Sequence, residues 1–142
     1  NLPRLMKAHA MKRRYFSFRN HALANVVAHD GAGEVLTVRV VNEAQGSGFR
    51  FVDLTEIPPR GSVGVHTHGL QDEEAYVIVA GRGLMQLDGA EFEVGPGDVI
   101  LNAAGGTHGL ENIGPEPLRM VVLDTYSPSA RERAADGSSD AS

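Results

Sequence analysis

The 142-residue chain contains no cysteine. Disulfide bonds, thiolate nucleophiles and iron–sulfur clusters are therefore excluded. No apolar run approaches the roughly 20 residues that a membrane-spanning helix requires, and no signal-peptide hydrophobic segment is visible. These absences predict a protein that crosses no membrane and is located in the cytoplasm.

Basic residues are also few, and they are unevenly placed. The formal net charge is −5, so the sequence offers no broad cationic surface for nucleic acid. Five of the thirteen Lys and Arg residues lie within residues 1–14. We interpret this segment as a basic N-terminal arm in which residues 1–10 derive from the expression vector and Met11 is the natural start. The alternative is a native arm that binds an anionic partner.

A 3.6-residue helical pattern is absent as well, and no internal repeat is found. Short apolar or alternating runs are instead separated by Gly, Pro and Asp turn signals. The strands predicted from these runs cover residues 15–18, 35–41, 49–57, 62–65, 74–79, 84–87, 91–94, 99–102 and 118–124. This pattern indicates an all-β barrel or sandwich, which we place as one domain at residues 15–126. Residues 127–142 are expected to form a polar, largely disordered tail with a helical turn at 130–135.

Four potential metal ligands lie between residues 61 and 112. His66 and His68 are two residues apart in a strand-like run, so their rings point to one face. If a turn at residues 69–72 folds the next strand back on the first, Glu74 can reach the same point. His108 follows a glycine-rich loop. Imidazole and carboxylate suit one divalent first-row metal (Fe, Mn, Ni, Co, Cu or Zn) better than Ca or Mg.

Such a ligand set favours a catalytic metal over a structural one. Four protein ligands around an octahedral ion leave two positions for water, substrate or dioxygen. The open positions are the feature on which any chemistry at this site depends.

The same segment resembles the cupin family over residues 49–125. The first cupin motif is matched by Gly61, His66, His68, Glu74 and Gly81. The second is matched by Gly97, Gly105, His108 and Asn112, with Ala103 in place of a proline. The first motif departs in two places, because Gly61 is one residue too close to His66 and the spacer before Glu74 is one residue too long. Glu73 fits that spacer but misses the following glycine, so we choose Glu74.

The resemblance implies a single-domain double-stranded β-helix, the jelly-roll barrel of cupins, which commonly pairs as a homodimer. It also implies a metal-dependent enzyme acting on a small, metal-chelating organic substrate, and cupin frequency favours a dioxygenase. A non-oxidative Lewis-acid isomerase, lyase, decarboxylase or cyclase is the first alternative. A non-catalytic small-molecule-binding cupin is the second.

Two residues near the ligands are candidates for a catalytic role. Tyr76 shares the strand face of Glu74, so it is either a proton donor or a core aromatic. Asn102 precedes the loop before His108 and either contacts a ligand or caps the turn. Gln86 and Asp124 are weaker candidates.

The remaining polar residues have simpler interpretations. Asn112 is expected to fix its loop. Arg39 and Arg50 would hold an anionic substrate if either faced inward, but apolar neighbours on both sides leave their face open. His21 and His29 are interpreted as ordinary exposed or capping residues, with a small chance of reaching a dimer interface.

Overall fold

The computed structural model describes residues 14–26 and 28–137. Within this part of the chain, ten β-strands form two antiparallel sheets. The strands are β1 Ala24–Val26, β2 Val35–Asn42, β3 Phe51–Ile57, β4 Ser62–Thr67, β5 Asp72–Ala80, β6 Gly83–Leu87, β7 Ala90–Val94, β8 Val99–Asn102, β9 Thr107–Asn112 and β10 Leu118–Tyr126. No helix of the described residues is long and apolar enough to span a membrane.

The chain passes repeatedly between the two sheets. The six-stranded sheet has the order β1-β2-β3-β10-β5-β8, and the four-stranded sheet has the order β4-β9-β6-β7. Strand β4 is therefore an edge strand, and its pairing with β9 shifts register between Val63 and His66. This arrangement is the jelly-roll barrel that the resemblance to cupins implied, within the all-β class that the strand pattern predicted.

The core lies between the sheets because apolar side chains recur at every second position of the strands. In β10, Leu118, Met120 and Val122 are 0%, 1% and 6% exposed, while the residues between them face outward. The same alternation in the other strands completes one buried cluster, formed by Val35, Ile57, Val63, Tyr76, Ile78, Met85, Val94, Ile100, Leu110, Leu118, Met120 and Val122.

Asn112 fixes the turn that follows β9. Its side-chain amide donates hydrogen bonds to the carbonyls of Ile57 and Glu116, both at 2.8 Å. Its side-chain carbonyl accepts a bond from the Gly114 backbone N–H at 2.9 Å. This buried residue thus has the loop-fixing role that its place in the motif predicted.

One outer surface of the barrel is apolar and exposed. Val99 and Leu101 of the edge strand β8 are 66% and 57% exposed, and Val79 of the neighbouring β5 is 45% exposed. We call these three residues the β8 strip. They share the outer face of the six-stranded sheet, because Ile100 and Asn102, which alternate with Val99 and Leu101 in β8, are buried.

Two predictions near the termini need correction. Residues 15–18 are not a strand; they lead into a turn in which the Asn20 N–H donates to the Ser17 carbonyl. The N-terminal edge strand is β1, in a stretch where no strand was predicted, and it pairs with β2. The predicted helical turn is a longer helix, α1, at Pro128–Ala135, capped by Ser127. The basic arm at residues 1–13 and the last five residues lie outside the described part.

Candidate metal centre

Neighbouring strands bring the three histidines together. His66 of β4 is paired in register with His108 of β9, and His68 directly follows β4. The His68 N–H donates to the Gly106 carbonyl, which ties it to the loop before β9. Nε2 of His66 lies 3.1 Å from Nε2 of His68. One ring nitrogen from each histidine lies within 4.8 Å of the others, so all three could bind one ion.

Glu74 approaches this cluster from the other sheet. Its Oε1 lies 3.4 Å from Nε2 of His108 and 3.8 Å from Nε2 of His68. Glu74 is buried, and its register partner in β10, Asp124, also faces the interior. Glu73 pairs with Thr125 on the opposite strand phase. The strand phase therefore brings Glu74, and not Glu73, to the histidines.

The Nδ1 atoms of His66 and His68 contact groups outside the cluster, and their Nε2 atoms face each other within it. Nδ1 of His66 donates to the Gly64 carbonyl at 2.7 Å, which leaves the Nε2 lone pair available for a metal. Nδ1 of His68 lies 3.6 Å from Oδ2 of Asp72. Burial lowers the pKa of His66; this favours the neutral imidazole that metal binding requires.

His108 provides the clearest test of whether a metal fits. It is 1% exposed, and neither ring nitrogen has a hydrogen-bond partner among the described residues. A buried polar atom without a partner is unfavourable. A divalent ion between the histidines and Glu74 would satisfy Nε2 of His108, and three imidazoles with one carboxylate are a suitable set for it. The residues present fit a first-row transition metal.

A cavity of about 390 Å³ opens beside the cluster. Its wall includes four of the site residues, His66, His68, Glu74 and Tyr76. Apolar side chains from several strands cover much of the remaining wall, among them Val35, Val63, Met120 and Val122. The volume is in the range of small-molecule binding sites.

The far wall of the cavity contains an ion pair. Arg39 faces the cavity, which decides the orientation that the sequence left open. Its guanidinium binds Asp53 through two hydrogen bonds of 2.9 and 3.2 Å and lies 3.8 Å from the centre of the Phe51 ring. Because Asp53 neutralises it, Arg39 adds polarity to this wall without a net positive charge.

Tyr76 and Asn102 lie on either side of Glu74. Tyr76 lines the cavity, and its ring meets that of His108 edge-on with centroids 5.6 Å apart. Burial and the neighbouring Glu74 carboxylate raise the pKa of Tyr76 well above its usual value, so its hydroxyl stays protonated. Asn102 is paired in register with Glu74 and is 1% exposed. Neither atom of its amide has a partner among the described residues, and it is not part of the cavity wall.

A group of three ionisable residues, Arg50, Asp72 and Asp124, lies next to the histidine cluster. Asp72 connects the two, because it contacts His68. Arg50 lies 3.3 Å from Asp72 and 3.2 Å from Asp124, so it bridges the two carboxyl groups. Burial and the neighbouring Asp72 raise the pKa of Asp124 to about 8. Burial opposes ionisation of Asp72 too, but Asp124, His68 and Arg50 bring the pKa of Asp72 below its usual value. Asp124 is therefore the protonated member of the pair at neutral pH.

His29 is the site residue that the sequence did not reveal. Its ring is stacked on that of His66, with centroids 3.4 Å apart and an angle of 9° between the planes. It also lines the cavity, so it belongs to the site of its own chain and is not an ordinary exposed residue. His21 does lie apart, with Nδ1 beside the Ser17 carbonyl. Gln86 is likewise remote, since its amide binds Glu91 on the exposed β6–β7 hairpin.

The chain is similar to several known proteins. The oxalate-binding protein of Thermotoga maritima is 31% identical over 94 residues, which cover 66% of this chain and 77% of that protein. An uncharacterized protein of Methanocaldococcus jannaschii is 40% identical over 76 residues, 54% of this chain. The matched part spans only 59% of that relative's length.

Solved structures share the fold at lower sequence identity. A predicted oxalate decarboxylase from Thermotoga maritima superposes with a TM-score of 0.73 at 24% identity, covering 79% of this chain and 98% of that one. A Cupin 2 conserved barrel domain protein from Salinispora arenicola gives 0.62 at 19% identity, with coverages of 86% and 95%. Residues 53–124 match the family model Cupin_2, the cupin domain. The chain is thus a member of the cupin family.

Proposed function

We propose that this protein is a metal-dependent cupin that binds a small carboxylic acid on its metal and acts on it as an enzyme. The observation that carries the proposal is the convergence of three imidazoles and one carboxylate beside a cavity. His66, His68, Glu74 and His108 would hold one first-row transition metal, which would leave two octahedral positions facing the cavity. A small acid that chelates through two oxygens fills two such positions.

The choice of a carboxylic acid has support from outside this chain. The Thermotoga maritima relative is named as an oxalate-binding protein, and oxalate chelates divalent metals through two oxygens. Apolar side chains cover much of the cavity wall, and the one arginine among its lining residues, Arg39, is already paired with Asp53. Such a wall suits a compact acid held by the metal better than a sugar phosphate, which needs several cations and donors.

The residues around the ligands have distinct roles in this proposal. Tyr76 keeps its proton, so it orients the Glu74 carboxylate as a donor. Gly64 and Asp72 orient the rings of His66 and His68 through their Nδ1 atoms. Asn102 lies beside Glu74 as its register partner in β8. The bound metal supplies Lewis-acid polarisation of the substrate, and a redox metal adds reactivity with dioxygen.

Metal and oxalate binding test the proposal directly. The protein would be stripped with a chelator and loaded with Mn, Fe, Co, Ni, Cu or Zn in turn, and oxalate binding would be measured by calorimetry. We expect one metal per chain and oxalate binding only in the loaded protein. Oxalate binding of equal strength in the stripped protein, or no stoichiometric metal with any ion, would contradict the proposal.

The class of reaction is separated by one further assay. Dioxygen uptake with oxalate or a panel of small acids supports the dioxygenase that the family frequency favoured. Product formed equally under anaerobic conditions supports a decarboxylase or another Lewis-acid enzyme. Tight binding without product in either condition supports a binding protein. The cytoplasmic location stays a prediction, which fractionation of the native host would test.

We also propose that the protein forms a homodimer. The β8 strip exposes three apolar side chains on and beside an edge strand, and exposed apolar edges are usually covered in stable proteins. Light scattering should give twice the chain mass. Val99→Lys should shift the mass towards the monomer, whereas Phe92→Lys, on the edge strand β7 of the other sheet, should not. A monomeric wild type at micromolar concentration would refute the homodimer.

A further inference from the structure

We propose that His29 contacts the carboxylic-acid substrate directly and that its imidazole N–H helps to set the affinity for that acid. The inference rests on the proposed function, because it adds a residue to the same site. It departs from the four metal ligands, since His29 comes from a turn before β2 and lies outside both sequence motifs.

The position of the ring is the first observation. His29 is stacked almost parallel on His66 and lines the same cavity. Since Nε2 of His66 faces the metal cluster, a ring stacked on His66 lies one ring thickness from a ligand. A substrate bound in this cavity beside the histidine cluster would therefore lie within reach of the His29 ring.

The backbone of the turn is the second observation. His29 and Asp30 have φ angles of 52° and 57°, and the Gly31 N–H donates to the Ala28 carbonyl at 3.0 Å. This is a turn with both central residues in the left-handed region, where Asn and Gly are the favoured residues. Among residues other than glycine, histidine and aspartate tolerate this conformation comparatively well, so the turn can present the His29 ring at this position.

The surrounding chain holds the turn in place. The Ala28 carbonyl also accepts a bond from the Gly64 N–H at 3.0 Å, and the Ala32 carbonyl accepts one from the Ser62 N–H at 2.9 Å. A Cβ at Gly64 would overlap the carbonyl of His29. The turn is therefore pressed onto β4 beside His66, which orients the His29 ring before any ligand binds.

The ring nitrogens of His29 are available to form a hydrogen bond with a ligand. Among the described residues, the side-chain contact of His29 is its stacking on His66, and no hydrogen bond engages its ring nitrogens. A neutral imidazole carries one N–H donor and one acceptor nitrogen. An N–H that donates to a metal-bound carboxylate forms a charge-assisted hydrogen bond, which is stronger than a neutral one. His29 would thus add the second recognition element for the acid, after the metal.

The experiment compares His29→Phe with the wild type, both loaded with Co²⁺. Phenylalanine keeps a flat ring on His66 but removes both nitrogens. We expect unchanged Co²⁺ stoichiometry and an oxalate dissociation constant raised about tenfold or more, the effect of losing one hydrogen bond to a charged group. His21→Phe is the matched control, because His21 lies outside the cavity, and it should leave both measurements unchanged.

A second variant keeps the test decisive if phenylalanine disturbs the turn. His29→Gly suits the left-handed backbone and removes the ring, and it should weaken oxalate binding at least as much while still binding Co²⁺. An oxalate affinity within twofold of wild type in whichever of the two variants is folded would overturn the role of His29 and leave the proposed function intact. A Co²⁺-loaded wild type that binds no oxalate would overturn both.

Discussion

Replacing His108 with leucine should stabilise the metal-free protein and abolish its response to metal. His108 is 1% exposed, and neither ring nitrogen has a partner among the described residues. Each unsatisfied buried polar group costs about 1–3 kcal/mol. Leucine is of similar size and has no polar atoms, so it removes this penalty while it also removes one metal ligand.

The expected effect on stability differs between the metal-free and the metal-loaded protein. Without metal, His108→Leu should raise the free energy of unfolding by about 1–3 kcal/mol, which for a chain of this length is about 4 °C in melting temperature per kcal/mol. With metal at a hundred times its dissociation constant, the wild type gains about 2.7 kcal/mol from binding. The variant should gain nothing.

Thermal unfolding followed by circular dichroism, with a chelator and with added metal, measures both effects. His21→Leu is the control, because His21 lies outside the site, and it should keep the full metal-induced rise in melting temperature. A variant that melts far below the metal-free wild type, or that still gains the full rise with metal, would refute the assignment of His108 as a buried ligand without a protein partner.

Three further outcomes are expected. Glu74→Gln should lower metal affinity at least tenfold, because it removes the one charged ligand, while Glu73→Gln should change it less than twofold; the reverse order, read by competition with a coloured chelator, would mean that the other carboxylate faces the site. Asn112→Ala should lose three hydrogen bonds and about 2–4 kcal/mol of stability by denaturant titration, with metal stoichiometry unchanged; a loss of metal instead would contradict its purely structural role. Asp124 has a raised pKa in the folded state, so the folded chain binds a proton that the unfolded chain has released between about pH 4 and 8. Stability should therefore fall as pH rises through this window, by at most about 1.4 kcal/mol per pH unit, and should be flatter in Asp124→Asn; an equal slope in both would exclude Asp124 as its source.

The ligand positions could be predicted from the sequence because strand geometry is simple. Side chains two residues apart share a face, which placed His66 beside His68. The same alternation favoured Glu74 over Glu73, and the structure brings Glu74 to the cluster. Short strands with regular turn signals predicted an all-β barrel or sandwich, the resemblance to cupins implied the jelly roll, and both are confirmed.

Other parts of the site depend on contacts between distant segments, which alternation does not encode. The stacking of His29 on His66 arises from a turn that docks on β4, more than thirty residues later in the chain. The face of Arg39 was ambiguous because apolar residues flank it on both sides, and in the structure β2 and β3 shift register between residues 39 and 41. The side chains of Asp72 and Asp124 come close because the register of β5 and β10 puts Asp124 opposite Glu74, two residues from Asp72.

The four candidate ligands come from both layers of the barrel, and this division has a mechanical consequence. The two histidines of the H-x-H motif extend from the edge strand β4, which has one neighbour and an irregular register, while Glu74 belongs to the larger sheet. A bound ion would cross-link β4, an edge strand of the four-stranded sheet, to β5, an interior strand of the six-stranded sheet. Amide hydrogen exchange in β4 should then slow on metal loading, while that in β3 and β10, already flanked on both sides, should hardly change.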